Sequence, residues 1–433
     1  MLRPRCGPIL ALLVALLLSG CWGAERIEST SYVLAVGIDQ AANHQLAVTV
    51  QLALPQHLGG GGGGGGMGGG GTVSTTGPGA LVQTVDAPSL AAALRDLAAI
   101  SSRVLDIGHA RILLVSQSVA ASGLAPVLDQ FLRQPDFRRS EYMAVTADPP
   151  SQILQVQPVQ ELNPEAYLEF LLTHSTRYGA GLCVSVRQFA VDMADPDSQP
   201  VLPLLRLYQG RPPNLPTPPE SLGQGGGSGG GSGSGGGGGG GGGSGGGQKV
   251  PQFVQVDGAV VFRGDRLVGT MTTQQAALWA MLENRVQQLS LAVPDPLAAG
   301  YVVELALTEV DSKSSATITG TAVAVTTKLS LEGLITNVQS GVDYSRSANL
   351  QVLQRAAEAE LTTDYAQLIE QSQHNWRADV FRFGLAVRRR TWTWNQWQSI
   401  DWVDRYPDAA IRVDVRLRLP WSGLEGAPVA PHH

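Results

Sequence analysis

Residues 110–146 read ARILLVSQSVAASGLAPVLDQFLRQPDFRRSEYMAVT, and this stretch decides the class of the fold. An apolar run over 110–116, a helical pattern over 119–133 and a second apolar run over 141–146 follow one another closely. Strand, helix and strand in that order predict a mixed sheet covered by helices rather than a sandwich. Upstream, residues 32–39 and 45–54 predict a hairpin turning at 41–44. Its second strand alternates Leu46, Val48, Val50, Leu52 and Leu54 on one face against Thr49 and Gln51 on the other. Residues 87–103 predict a helix, with Leu90, Leu94, Leu97 and Ser101 at helical spacing behind Pro88 and Ser89, and 149–156 start another.

Downstream the pattern restarts. Residues 253–263 and 266–270 flank Gly264-Asp265, a favoured two-residue hairpin turn. Thr272 and Gln275 have capping-box spacing ahead of a helix predicted to reach about 288. Strands are predicted at 301–309, 320–331, near 381–389 and at 410–419. A long helix over 348–371 buries Leu350, Leu353, Leu361, Tyr365 and Leu368 or Ile369.

Two glycine tracts interrupt this material. Residues 59–71 hold 12 Gly in 13, and residues 225–247 hold 19 Gly and 4 Ser in 23. Such composition predicts flexible coil. The expected class is therefore α+β and multi-domain, with mixed β-sheets covered by helices and glycine-rich insertions. The expected division is a signal peptide over 1–20, an N-terminal domain over 21–210, a Pro/Gly/Ser-rich linker over 211–250 and a C-terminal domain over 251–433.

The 433 residues carry 30 basic and 36 acidic side chains, a net charge of −6, and 43% are hydrophobic. That balance supports a buried core and excludes wholesale disorder. With no basic tract to neutralise phosphates, nucleic acid is not an expected partner. At the N-terminus, Arg3 and Arg5 precede an apolar run over 9–18 that is too short to span a bilayer. It ends in Leu18-Ser19-Gly20-Cys21, which looks like a bacterial lipobox. Cleavage there would leave Cys21 first in the chain, as the lipid attachment. Cys6 would depart with the signal and Cys183 would remain alone, so neither an intramolecular disulfide nor a Cys-rich zinc site is expected.

No nucleophile elbow, zincin helix, Walker loop, EF-hand loop or CxxC pair occurs, so no catalytic residue, metal or cofactor is expected. His109 with Arg111, and His174 with Arg177 and Tyr178, read as ordinary polar contacts, and His432-His433 as a tail. Six of the eight tryptophans lie in the last 58 residues, interleaved with Arg388, Arg389 and Arg390. Core filling is the favoured reading of the group. The candidate contacts to a membrane partner or to headgroups are Trp392 and Trp394, placed on one strand face, with Arg388 and Arg390.

Four blocks, in order, resemble the Ger(x)C family of spore germination lipoproteins. They are Cys21-Trp22 with Tyr32 to Asp39, His109 to Val115 with Phe137-Arg138-Arg139, Asp257 to Gly269, and Asp379-Val380-Phe381-Arg382-Phe383-Gly384 followed by Trp394 and Trp402. Gly23 stands where the family has an acid, and Arg382 where its last block has a first Gly. The resemblance implies the C subunit of a nutrient germinant receptor, anchored by lipid on the outer face of the spore inner membrane. Beside it would stand two integral membrane subunits, A and B, and its part would be assembly or signalling rather than catalysis. Direct germinant binding stays open. The competing classes are a solute-binding lipoprotein and, less favoured, a hydrolase whose acid-base pair assembles only in space.

Overall fold

The computed structural model describes residues 30–53, 80–101, 103–158, 164–177, 182–210, 252–286, 288–320 and 322–420. The expected signal peptide over 1–20, the expected lipobox ending at Cys21, both glycine tracts, Tyr178, Trp421 and His432-His433 lie outside the described residues.

Strands β1 (Thr30–Gln40), β2 (Leu46–Ala53) and β3 (Ala80–Ala87) form an antiparallel meander. β4 (Val104–Asp106) pairs in parallel with the start of β1. β5 (Ile112–Ser116), β6 (Tyr142–Thr146) and β7 (Val201–Gln209) extend the sheet in parallel on the other side of β1. β8 (Gln252–Arg263) and β9 (Arg266–Met271) then add the predicted hairpin in antiparallel sense. The result is a nine-stranded sheet in the order β3-β2-β1-β5-β6-β7-β8-β9, with β4 beside β1.

The central strands are buried on both faces because helices cover both, which is why residues 112–116 read as an unbroken apolar run. One face packs Leu113, Val115, Met143 and Val145 against helices α1 (Leu90–Ile100), α2 (Gln117–Ser122) and α3 (Ala125–Leu132). The other packs Ile112, Leu114 and Ala144 against α4 (Pro150–Leu154) and α5 (Pro164–Arg177). This second cover also explains Thr49 and Gln51, which alternation alone sets facing outward. Both are buried, with Thr49 Oγ1 2.9 Å from Thr84 Oγ1 and Gln51 Nε2 donating to the Leu154 carbonyl at 2.8 Å. The single helix expected over 119–133 is broken at Gly123, whose φ of 118° only glycine adopts readily. The Asp265 turn fills the break, its carbonyl accepting from the Leu124 amide at 2.9 Å and its carboxylate from Ala125 at 3.2 Å.

After helix α6 (Val186–Ala194), β7 forms where no strand is predicted from sequence, its Pro203 sitting at a register shift against β8. Gln209 pairs directly with Gln252, so the 211–250 segment leaves and re-enters the same sheet. Residues 252–271, assigned from sequence to the second domain, are hydrogen-bonded into the first sheet. The change of sheet falls after Met271.

Helix α7 (Thr273–Leu282) carries the predicted capping box, with both the Thr272 and Gln275 bonds formed. It stops at Asn284, which takes a φ of 53°, short of the expected end near 288, and a strand follows over 289–294. The second sheet runs β10 (Leu289–Pro294), β11 (Val302–Thr319), β12 (Ala322–Val338), β13 (Ala410–Arg418). Helix α8 (Ser347–Glu370) buries Leu353, Leu361, Tyr365, Leu368 and Ile369. The strand expected near 381–389 is instead helix α9 (Phe383–Arg388). Trp394 opens a further helix, α10 (Trp394–Ile400), under a Thr393–Gln396 capping box, so Trp392 and Trp394 do not share a strand face. A short α11 (Trp402–Arg405) follows.

Candidate docking surface

The tryptophan-arginine segment grows from a π-helical turn, Gln371–Trp376, that extends α8. Gln373 Nε2 holds this turn by donating to the carbonyls of Tyr406 at 2.9 Å and Ala409 at 2.8 Å. Trp376 lies over Gly269 of β9, where an added Cβ would meet the indole nitrogen at 2.0 Å. Arg377 and Arg382, both at positive φ, then reverse the chain around Asp379. The buried Asp379 carboxylate accepts from the amides of Phe381 at 3.2 Å, Phe383 at 3.2 Å and Gly384 at 2.7 Å, and from Trp402 Nε1 at 2.8 Å. Burial nevertheless pushes this carboxyl up to about 6, against the pull of its donors.

The same loop locks the two sheets together. The Asp379 carbonyl accepts from the Gln199 amide at 2.8 Å, and the Val380 carbonyl from Trp279 Nε1 at 2.8 Å. Gly384 admits no side chain, since a Cβ there would stand 2.5 Å from the Asp197 carbonyl. The block quoted for the family resemblance thus closes a joint, a role that its spacing does not reveal.

The four candidate contacts fall into two pairs. Arg388 Nη1 donates to the buried Asp197 carboxylate at 2.7 Å, with its guanidinium 5.2 Å from the Trp394 ring. Burial raises the Asp197 carboxyl while Arg388 opposes the shift. Arg390 Nε donates to the Ala316 carbonyl at 2.9 Å, on the part of β11 beyond its pairing with β10. Both arginines therefore hold the loop in place. Trp392 and Trp394 are exposed, whereas Trp376, Trp397 and Trp402 are buried, which is the core role expected of most of the group.

The remaining polar candidates have ordinary partners. His109 Nδ1 lies 2.9 Å from Asp106, and His174 Nδ1 3.1 Å from the Phe170 carbonyl. Arg111 bridges Glu169 at 3.0 Å and Glu165 at 3.3 Å, and burial pushes the Glu165 carboxyl up to about 7. Burial also pushes the Cys183 thiol up to about 11, which suppresses its thiolate. Among the described residues no group of three or more His, Cys, Asp or Glu could hold a metal. An open groove of about 640 Å³ between β11, β12 and β13 is lined by Glu309, Asp311, Glu332, Arg416 and Arg418. No helix of the described residues is long and apolar enough to cross a membrane.

Comparison with known proteins accounts for nearly all of this chain. Residues 23–207 match the spore germination protein N-terminal domain, and residues 257–423 match the spore germination B3/GerAC like C-terminal family. Bacillus subtilis (strain 168) YfkR, named for spore germination, is 23% identical over 96% of this chain and 96% of its own length. Spore germination protein KC of the same organism is 22% identical over 99% of this chain and 98% of its own. The crystal structure of the GerBC protein shares the fold, with a TM-score of 0.52 at 14% identity, covering 89% of this chain and 97% of that one. The chain belongs to the GerAC-like family of spore germination proteins, the C subunits of Ger receptors, and carries both the N-terminal and the C-terminal domain of that family.

Proposed function

We propose that this protein is the lipid-anchored C subunit of a nutrient germinant receptor, held on the outer face of the spore inner membrane through Cys21. Its part is to support assembly and signalling by two integral membrane subunits, A and B. The observation that carries this reading is the order of segments: both family domains follow directly behind Leu18-Ser19-Gly20-Cys21. Acyl chains give tethering without choice of neighbour, so placement within a receptor requires protein contacts as well.

The test is co-purification of the acylated chain from spore inner membranes beside a Cys21→Ala control. Two integral membrane proteins should be recovered with the native chain and be lost or sharply reduced with the control. Recovery of the chain alone, or with components of a transporter, would replace this reading with solute capture.

A further inference from the structure

We infer that one end of the nine-stranded sheet, with the 388–394 loop at its rim, rests on an anionic phospholipid surface. Strands β1, β5, β6 and β7 are parallel, so the residues that open them mark a common end. β4 pairs with Thr30 to Tyr32 and brings Val104, with Ile100 at the end of α1, to that end. Helix α6 lies across it, because Ser185 before the helix bridges to Tyr142 while Asp197 after it leads into β7. Arg388, bonded to Asp197, hangs the loop carrying Trp392 and Trp394 at the same place.

Exposure singles out this end. The five most exposed large apolar side chains among the described residues are Trp392 at 94%, Ile100 at 66%, Val104 at 63%, Val191 of α6 at 52% and Trp394 at 51%. All five lie here.

The charge there runs against that of the chain as a whole. Arg103, Arg138, Arg139, Arg187 and Arg389 sit at this end, and none makes an ion pair among the described residues. Arg138 and Arg139 lead into β6, and the Arg187 amide donates to the Arg139 carbonyl at 3.0 Å. Among the described residues Asp136 and Asp195 are the acids beside them that make no ion pair; Asp192 and Asp197 are held by Arg382 and Arg388, and the buried Glu141 lies within electrostatic reach of Arg138. Indoles at headgroup depth among arginines facing phosphates are the chemistry of a bilayer boundary. The acidic remainder of the chain would be repelled from the same surface, which orients this end toward it.

The chain outside the described residues points the same way. Thr30 opens β1 nine residues after Cys21, so Cys21 lies within about 30 Å of this end even when the segment is fully extended. This last step alone rests on the anchored reading.

The mature chain, acylated at Cys21 or carrying Cys21→Ser, is mixed with excess vesicles of phosphatidylcholine, with or without phosphatidylglycerol, whose brominated acyl chains quench nearby indoles. Quenching that requires phosphatidylglycerol, weakens with salt and is mostly lost in the Trp392→Phe/Trp394→Phe double variant is the expected result. Both positions are on the surface, so the variant should fold as the parent does. Equal quenching of parent and double variant, or none in either form of the chain, overturns the inference. So does shielding of these tryptophans from aqueous acrylamide only when co-purified membrane subunits are present, which would assign the surface to a protein. Co-flotation of the acylated form is a separate readout: if it is no stronger than that of the Cys21→Ser form, the anchored reading fails, whatever the quenching shows.

Discussion

Asp379 shows how much one side chain can carry. Its carboxylate is the partner of three buried amides and one indole N–H, and Asp379→Ala would leave all four unpaired. At about 1–3 kcal/mol for each orphaned donor, the variant should lose at least about 4 kcal/mol and fail to populate the native state at 37 °C, read by circular dichroism. Arg382, three residues on, tests the backbone instead. It holds a φ of 54° where the family resemblance places glycine, and its guanidinium stands 3.5 Å from Asp192. Arg382→Gly and Arg382→Ala both remove that ion pair, so their difference isolates the left-handed conformation. Glycine should be the more stable variant by about 1 kcal/mol in chemical denaturation, the reverse of the usual order for the two residues. Glu141 gives a test in pH. It is buried, neither oxygen has a well-formed hydrogen bond, and burial pushes its carboxyl from 4.5 up to about 7. The folded state therefore binds this proton more tightly than the unfolded chain. Glu141's contribution is full below about pH 4.5 and is lost as the pH rises through 7. Relative to the parent, Glu141→Gln should gain on the order of 2 kcal/mol at pH 8 and little at pH 5, so an equal effect at both values would show that the carboxyl titrates normally.

Among the elements, legibility followed periodicity. The β1–β2 and β8–β9 hairpins, the α7 capping box and the long α8 were all readable, because each has a turn, a cap or a buried stripe of its own. β7 was not, since its apolar run is cut by Pro203 and is completed only by neighbours on both sides. Residues 383–388 alternate apolar side chains well enough to read as a strand, yet the left-handed turn at Arg382 and the Asp379 bonds start a helix there, and no local pattern announces either. The candidate surface was legible in composition but not in geometry. Arg388 and Arg390 could be picked out, but the Asp197 and Ala316 atoms they bind lie far away in sequence. The contact between β9 and the π-helical turn is testable as a pair. Gly269→Ala alone should cost several kcal/mol, because its Cβ would have to displace the Trp376 ring. In a Trp376→Ala background the same change should cost under about 1 kcal/mol, a coupling that a double-mutant cycle reads directly.

The whole molecule is two sheets around a continuous apolar core that runs from Val33 to Leu419. The Asp379 loop and the Trp376–Gly269 contact close the joint between them. That continuity changes what the second glycine tract is expected to do. A tether between independent bodies would set their separation. Gln209 and Gln252, however, are paired neighbours on β7 and β8, so residues 210–251 only connect two strands already held by their own ladder and by the core beneath them. Deleting residues 225–247 shortens this 42-residue connection to 19 and removes no described contact. For a glycine-serine coil, the closure entropy recovered is about 0.7 kcal/mol in favour of the folded state. The deleted chain should therefore melt at the same temperature as its parent or slightly above it, in a single transition. A fall of several degrees would show that the tract contributes ordered contacts to the fold. Two separate transitions would show that the tract keeps the β7–β8 ladder, and with it the joint between the sheets, intact.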